Sequence, residues 1–239
     1  MKEDFNFKNW LSGNFSGEGI FKVNPYESAL IIVDVQYAHA HPDYGLGAIL
    51  KGENKKFNEY FFNRIKNMVI PNIKELLQFF RKNNLNIIYI TFCSEHKNCK
   101  DMSKRIANMF EKLYGEEKPF YPKGNFINNI IEDIKPDEND IVINKLTGGA
   151  FASSNIDFVL RNMGMKTLFF TGVSTDMCVE RTLREASDRD YNCIIIEDAC
   201  ATFDQESHDE AIRGISRGAG LSKKTQEVIK DFPWKCYEL

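Results

Sequence analysis

The sequence predicts a doubly wound α/β fold, in which a single domain holds a parallel sheet of five or six strands flanked by helices. Short apolar runs recur along the chain, as in strands that are covered on both faces. Segments with apolar residues three and four positions apart separate these runs and indicate amphipathic helices. The predicted strands span residues 29–33 (ALIIV), 86–91 (NIIYIT), 140–144 (DIVIN), 167–171 (TLFFT) and 192–196 (NCIII), and a final strand or turn follows residues 218–220.

Composition and charge exclude several classes of protein. The chain has 239 residues, of which 43% are apolar, enough for one large core or two modest ones. Its net charge is −3, with acids and bases interspersed, which argues against nucleic acid as a partner. No apolar run approaches the roughly 20 residues that cross a bilayer. The N-terminus also lacks the apolar core of a secretory signal. We therefore expect a cytoplasmic protein with no membrane partner.

The cysteines and histidines do not indicate a metal centre. The six cysteines include no C-x-x-C pair, so free thiols are expected rather than disulfides or a structural zinc site. His39 and His41 lie in the loop after the first predicted strand. Loop histidines are more often solvated than metal-bound, and we expect no metal and no cofactor.

The chain is predicted to contain an arm, one domain and one insertion. Residues 1–26 are expected to lie on the surface or on a neighbouring subunit, and residues 27–239 form the α/β domain. The polar segment 92–126 is predicted to be an insertion that acts as a lid or a subunit contact. Aromatic pairs in the arm and the insertion favour a homo-oligomer, either a dimer or a tetramer.

Two helices within the domain have readable boundaries. The apolar spacing from Arg64 to Asn83 predicts a helix that Pro71 kinks or restarts. Ser153 and Ser154 are candidate caps for a helix that ends at Gly164.

Reactive side chains follow three of the predicted strands. Asp34 comes after the first strand, Lys145 after the third and Cys178 after the fourth. Taken singly, these residues would be a turn aspartate, a surface lysine and a small buried hydrophobe. Ligands of open α/β sheets bind at the carboxyl ends of the strands, so we expect the three side chains to converge there.

Cys178 lies where the fourth strand has ended and an amphipathic helix begins. The N-terminus of a helix carries roughly half a positive charge, which stabilises a thiolate relative to a thiol. The sequence therefore predicts an activated nucleophile.

The three residues form a coherent catalytic hypothesis. Asp34 would accept the thiol proton and return it to a leaving amine. Lys145 would stabilise both anions and help to hold the polar end of the substrate. Cys178 would attack a carbonyl carbon and form a thioester, while backbone amides before the helix bind the oxyanion.

Three stretches carry a resemblance to the isochorismatase-like, or cysteine hydrolase, family. They are ALIIVDVQ around Asp34, VINKLTGGAF around Lys145, and TGVSTDMCVERTLREASDRDYNCIIIEDA around Cys178. The resemblance covers residues 29–228 and implies a triad of Asp34, Lys145 and Cys178. It also implies a cis peptide between Val173 and Ser174, and an oxyanion hole made by the amides of Ser174 and Cys178. The residues that it places at the substrate pocket are Gln36 and Phe151.

The resemblance also bears on the reaction. Nicotinamidases of the family carry a D-x-H metal motif where this chain reads TFCSEHKN, with Glu95 and His96 at other spacings. Isochorismatases that cleave a vinyl ether do not need the cysteine. Cys178 thus favours hydrolysis of a C–N bond, and the size and arm resemble enzymes of ureidoacrylate, N-carbamoylsarcosine or biuret. Vinyl-ether hydrolysis, nicotinamidase-type hydrolysis and a catalytically idle binding module stay open as alternatives.

Overall fold

A parallel sheet of six strands forms the centre of the molecule in a computed structural model that describes residues 22–51, 55–114 and 122–230. The strand order is β3-β2-β1-β4-β5-β6, and every neighbouring pair is parallel. This confirms the doubly wound α/β fold predicted from the sequence. The strands are β1 (Ser28–Val33), β2 (Asn86–Phe92), β3 (Ile141–Lys145), β4 (Thr167–Val173), β5 (Asn192–Ala201) and β6 (Leu221–Lys223).

The chain order of the strands reverses between β1 and β4. From β1 the chain builds outward through β2 to β3, then returns to β4 and builds outward on the other side. The carboxyl ends of β1 and β4 therefore border the crevice where α/β folds of this kind bind ligands.

Helices connect the strands and cover both faces of the sheet. The described helices are α1 (Tyr37–Ala40), α2 (Gly45–Leu50), α3 (Lys55–Arg64), α4 (Ile70–Lys82), α5 (Lys104–Tyr114), α6 (Ile156–Asn162), α7 (Glu180–Ser187), α8 (Gln205–Ser216) and α9 (Thr225–Lys230). Short π-helical turns, Ile65–Val69 and Thr175–Val179, lead directly into α4 and α7. Such turns are rare and occur often at functional sites.

Two apolar cores lie on opposite faces of the sheet because successive strand residues point to opposite sides. In β1, Leu30 and Ile32 belong to one core, while Ile31 and Val33 belong to the other. Burial of each large side chain of this kind stabilises the fold by about 1.5 to 3 kcal/mol. The continuous apolar run at residues 29–33 is thus explained by helices on both sides of β1.

The structure differs from the sequence prediction at several element boundaries. The predicted helix from Arg64 to Asn83 continues α3 through the π-helical turn Ile65–Val69, and Pro71 comes directly after this turn in α4. Proline lacks the N–H that a continuous helix uses, and the helix is irregular just before it. Strand β5 continues past Ile196 to Ala201 because its backbone pairs with β4 again after a register shift, with Cys200 opposite Gly172 and Ala201 opposite Val173. Of the two candidate caps for α6, Ser154 accepts a hydrogen bond from the Ile156 amide at 3.3 Å. Ser153 does not cap the helix, since its Oγ accepts from the Leu146 and Thr147 amides instead.

Some sequence predictions concern residues that the structure does not describe. Of the predicted arm, residues 1–21 lie outside the described part, as does Cys236. The insertion at 92–126 contains α5, and its residues 115–121 are also outside the description. Among the described helices, none is long and apolar enough to cross a membrane.

Candidate active site

Asp34, Lys145 and Cys178 meet at the carboxyl edge of the sheet. The Lys145 ammonium lies 2.8 Å from Asp34 Oδ2 and 3.5 Å from Cys178 Sγ. Lys145 is fully buried, Asp34 is 2% exposed and Cys178 is half-buried. The structure therefore brings together an acid, an amine and a thiol that are far apart in the sequence, and of the three residues only Cys178 is partly exposed.

The length of the lysine side chain explains how β3 contributes to a site between β1 and β4. Strand β3 is the edge strand next to β2, so about 10 Å separate it from β1 at the usual strand spacing. The Lys145 side chain crosses this gap over the ring of Phe92 in β2, with Nζ 4.3 Å from the ring centroid. Its ammonium also donates to the Thr147 carbonyl at 3.0 Å. Its three N–H groups thus have three partners in Asp34, Thr147 and Cys178.

Asp34 has an unusual backbone conformation. Its φ is +53°, a left-handed value that costs a non-glycine residue roughly 1 kcal/mol or more. The conformation is held by two short hydrogen bonds, from the Asp34 amide to Ile90 O at 2.9 Å and from the Gln36 amide to Asp34 O at 2.8 Å. Such strain at a buried charged residue is a feature of functional sites.

The loop that carries Cys178 follows β4 directly. The peptide bond between Val173 and Ser174 is cis, and the π-helical turn Thr175–Val179 comes next. The amides of Met177 and Val179 both donate to the Ser174 carbonyl, at 3.1 and 3.2 Å. Gly172 has a φ of +113°, and a Cβ at this position would collide with the Val33 carbonyl of β1. Glycine is required here because β1 and β4 approach closely beside the site.

The pKa shifts correct one expectation from the sequence. Burial raises the pKa of the Cys178 thiol to about 12, and the Asp34 carboxylate acts in the same direction, while Lys145 opposes them. Burial alone would lower the pKa of Lys145, but the charges of Asp34 and Cys178 and the hydrogen bonds to them together outweigh burial, and the net shift is upward. This shift is opposite in direction to the thiolate stabilisation expected from the helix N-terminus. Burial and the Asp34 charge favour the thiol form of Cys178.

The loop after Lys145 packs against the helix that follows Cys178. The Phe151 amide donates to Glu185 Oε2 of α7 at 2.8 Å. A Cβ on Gly149 would collide with the Glu185 carboxylate, and one on Gly148 would collide with the Arg181 side chain. Two adjacent glycines thus allow the loop after Lys145, the lysine loop, to pack closely against α7. The sequence shows the Gly-Gly pair but does not show that α7 is what it packs against.

Gln36 and Phe151, predicted at the substrate pocket, both make contacts with the protein. Gln36 is fully buried, with its side-chain nitrogen donating to Asn128 O at 2.6 Å and its oxygen accepting from the Phe92 amide at 2.8 Å. The Phe151 ring lies 5.8 Å from the ring of Tyr191 and is 7% exposed. The prediction that these residues contact substrate stays a prediction.

His39 is a site neighbour that sequence reasoning assigned to a solvated loop. Its ring centroid lies 5.8 Å from that of Phe92, the ring beneath the Lys145 ammonium. Burial lowers the pKa of His39, and the charges of Asp34 and Lys145 both act on it. Its Nε2 atom and Asp34 Oδ1 are buried without a hydrogen-bond partner in the described part of the chain. Two acceptor atoms at the site are therefore unpaired.

No metal-binding arrangement occurs among the described residues: they contain no group of three or more His, Cys, Asp or Glu side chains suitably placed. Glu95, compared above with the nicotinamidase metal motif, pairs with Lys123 at 2.9 Å. It also accepts a hydrogen bond from Asn144 at 2.9 Å.

Comparisons with known proteins agree with this architecture. The family model for the isochorismatase domain matches residues 28–226. The chain belongs to the isochorismatase family, and it is a hydrolase of that family.

Two curated relatives have similar sequences. An uncharacterised isochorismatase family protein of Bacillus subtilis, YwoC, is 29% identical over 162 residues, which cover 68% of this chain and 82% of the relative. The ureidoacrylate amidohydrolase RutB of Pseudomonas savastanoi is 29% identical over 181 residues, which cover 74% of this chain and 72% of RutB.

Solved structures share the fold. A cysteine hydrolase from Pseudomonas syringae superposes with a TM-score of 0.73 at 22% identity, covering 89% of this chain and 95% of the other. The N-carbamoylsarcosine amidase of Thermoplasma acidophilum superposes with a TM-score of 0.59 at 22% identity, covering 84% of this chain and 97% of the amidase.

Proposed function

We propose that the protein is a cysteine-dependent amidohydrolase that cleaves a C–N bond of a small polar amide through a thioester intermediate. The observation that carries this proposal is the cluster of Asp34, Lys145 and Cys178 at one sheet edge, with the lysine ammonium in contact with both partners. A nucleophile, a proton acceptor and a fixed cation are the parts that acyl transfer by a thiol requires.

The first half of the reaction forms the thioester. The Cys178 thiol loses its proton to Asp34 as the sulfur attacks the carbonyl carbon and the carbonyl oxygen becomes an oxyanion. Because the resting thiol has a raised pKa, proton transfer and attack belong to one step rather than to a preformed thiolate. The C–N bond then breaks, and the proton held by Asp34 goes to the departing amine, which leaves as ammonia or an amine.

The second half hydrolyses the thioester. Asp34 takes a proton from a water molecule that attacks the thioester carbon, and the S–C bond breaks. The sulfur recovers the proton from Asp34, so the thiol and the carboxylate return to their starting states and an acid is released. Lys145 stays protonated throughout, since all its N–H groups hold site atoms in place.

The amides of Ser174 and Cys178 supply the oxyanion hole in this proposal. Ser174 directly precedes the π-helical turn and Cys178 lies within it, and the hydrogen bonds to the Ser174 carbonyl hold the geometry of this turn. Each donor in such a hole is worth about 10² to 10³ in rate.

We further propose a ureido or carbamoyl compound as the substrate, of the ureidoacrylate, N-carbamoylsarcosine or biuret type. Relatives with 28% to 29% identity bear the name ureidoacrylate amidohydrolase. The unpaired acceptors Asp34 Oδ1 and His39 Nε2 suit a group that presents several N–H donors. A ureido group does so, whereas a vinyl ether does not.

The test is ammonia release from a panel of ureides, carbamoyl amino acids, biuret and nicotinamide. The parent chain should hydrolyse a ureido or carbamoyl compound, and N-methylation of that compound should reduce turnover because it removes N–H donors. Cys178→Ala and Cys178→Ser should abolish turnover and keep the fold. Cys193→Ala is the matched control, since this thiol is buried in the core at the far end of β5 and should be dispensable.

The alternatives give different patterns. Vinyl-ether hydrolysis releases no ammonia, so it would be followed through the products of a vinyl-ether substrate. This activity would survive in Cys178→Ala and be lost in Asp34→Asn. Nicotinamidase-type activity would appear as preferred release of ammonia from nicotinamide.

A further inference from the structure

His208 is a buried histidine that contacts the loop carrying the nucleophile. It lies on α8 and is 3% exposed. Its Nδ1 is 2.9 Å from Thr175 Oγ1, and its Nε2 is 3.0 Å from Arg64 Nη2. Thr175 follows Ser174 directly and opens the π-helical turn that contains Cys178.

The partners of His208 determine its tautomer. A guanidinium has only donors, so Nε2 must be the accepting nitrogen toward Arg64. The ring proton is therefore on Nδ1, which donates to the Thr175 hydroxyl. Burial lowers the pKa of His208 to about 4, and the charge of Arg64 acts in the same direction. At neutral pH the ring is uncharged and has a single tautomer.

Arg64 is itself fixed by backbone groups of β5. Its Nε donates to the Cys200 carbonyl at 3.0 Å, and its Nη2 donates to the Glu197 carbonyl at 3.1 Å. Because β5 neighbours β4 in the sheet, the chain of contacts from Arg64 through His208 to Thr175 ends on a rigid support. A second contact, from Thr202 Oγ1 to Asp176 Oδ1 at 2.5 Å, holds the same loop.

We propose that His208 is a positioning residue for the oxyanion hole. Its fixed Nδ1–H holds the Thr175 hydroxyl. Through Thr175 it sets the orientation of the preceding Ser174 amide and of the Cys178 amide in the same turn. His208 does not touch the reacting atoms. This inference rests on the proposed function, because it needs Cys178 to react through an oxyanion.

Two reagents separate this role from a general structural one. Acylation of Cys178 by p-nitrophenyl acetate passes through an oxyanion, whereas alkylation by iodoacetamide is a displacement that does not. Loss of positioning should slow acylation on the order of tenfold to a hundredfold, as small misplacements do. Alkylation should change by less than about twofold.

The variants His208→Asn and His208→Gln form a matched pair. The Asn amide can place a donor near the position of Nδ1, so it should restore acylation to within a few-fold of the parent. The Gln amide instead reaches the position of Nε2 toward Arg64, so it should acylate slowly. Thr175→Val, which removes only the hydroxyl, should be as slow as His208→Gln, and the double variant should be no slower than either.

The proposal is overturned if His208→Gln and Thr175→Val acylate at the parent rate, or if alkylation slows as much as acylation. It is also overturned if His208→Asn is no faster than His208→Gln while both melt at similar temperatures. A parent chain that is acylated on Cys178 but hydrolyses no ureide would sink the proposed substrate and leave the role of His208 standing. A parent that is not acylated on Cys178 would end both.

Discussion

Lys145 and Asp34 form an ion pair that spans the strand between them. Their charged atoms lie 2.8 Å apart, and both side chains are buried. A buried pair of this kind contributes little net stability, because desolvation offsets the attraction. The location of the pair beside Cys178 points to a chemical use. Because both charges are buried, removing either residue leaves the other without compensation.

Replacing Asp34 should separate thiol reactivity from turnover. The Asp34 carboxylate raises the pKa of Cys178 while Lys145 lowers it, so Asp34→Asn should lower the thiol pKa. We expect faster alkylation by iodoacetamide at pH 8 and a loss of hydrolysis by a factor of at least about 10². Alkylation rates and ammonia release would be measured on the same preparation.

The control for this variant is Asp133→Asn, which removes an exposed carboxylate paired with Lys74. Both rates should match the parent. Slower alkylation of Asp34→Asn, or retained hydrolysis, would contradict the role given to Asp34.

Removal of the lysine charge should destabilise the fold. Lys145→Met leaves Asp34 buried without its cation, which costs about 3 to 5 kcal/mol in comparable cases. Lys74→Met, at an exposed pair, should cost less than about 1 kcal/mol. Urea denaturation of both variants measures the loss in free energy of unfolding. Equal losses would contradict the claim that buried Asp34 depends on the charge of Lys145.

The contact between the lysine loop and α7 should depend on Gly149. A methyl group there displaces the Glu185 carboxylate and removes its hydrogen bond to the Phe151 amide. We expect Gly149→Ala to lower the free energy of unfolding by about 1 to 3 kcal/mol and to reduce kcat. Gly218→Ala meets open space, so it should be neutral or stabilising by less than about 1 kcal/mol. Thermal unfolding and kcat measurements on the two variants provide the comparison.

Acid should weaken the fold through His208. Burial and the charge of Arg64 lower the pKa of this histidine from 6.5 to about 4, while the charge of Asp209 acts in the opposite direction. Below pH 6.5 His208 therefore binds a proton in the unfolded chain but not in the folded chain, so stability falls as the pH drops toward 4. The free energy of unfolding falls by about 3 kcal/mol over this range.

This dependence can be measured by urea denaturation between pH 7 and pH 4. His208→Asn cannot titrate, so its stability should fall less steeply than that of the parent over this range. Identical slopes would show that His208 is not the group responsible.

Much of the fold was readable because its strands are buried on both faces. The apolar run at residues 29–33 predicts β1 to within one residue of Ser28–Val33. The strand-end rule selected Asp34, Lys145 and Cys178 for one edge of the sheet, and their side chains do meet there. Local pattern and topology together were sufficient for these features.

Other features depend on contacts that no local pattern encodes. His208 lies 144 positions from Arg64 and 33 from Thr175, so its two partners could not be inferred from spacing. The raised pKa of Cys178 was missed for a similar reason. The helix N-terminus is visible in the sequence, whereas the burial and the nearby Asp34 charge arise only when the sheet assembles.

The most direct measurement of the central claim is mass spectrometry of the chain quenched during turnover of a ureido substrate. The account predicts an adduct on the peptide containing Cys178, with the mass of the acyl fragment that remains after the amine departs. Hydroxylamine should remove it, and Cys178→Ser should not accumulate a thioester. Undiminished turnover by Cys178→Ala, with no adduct in the parent, would contradict the account.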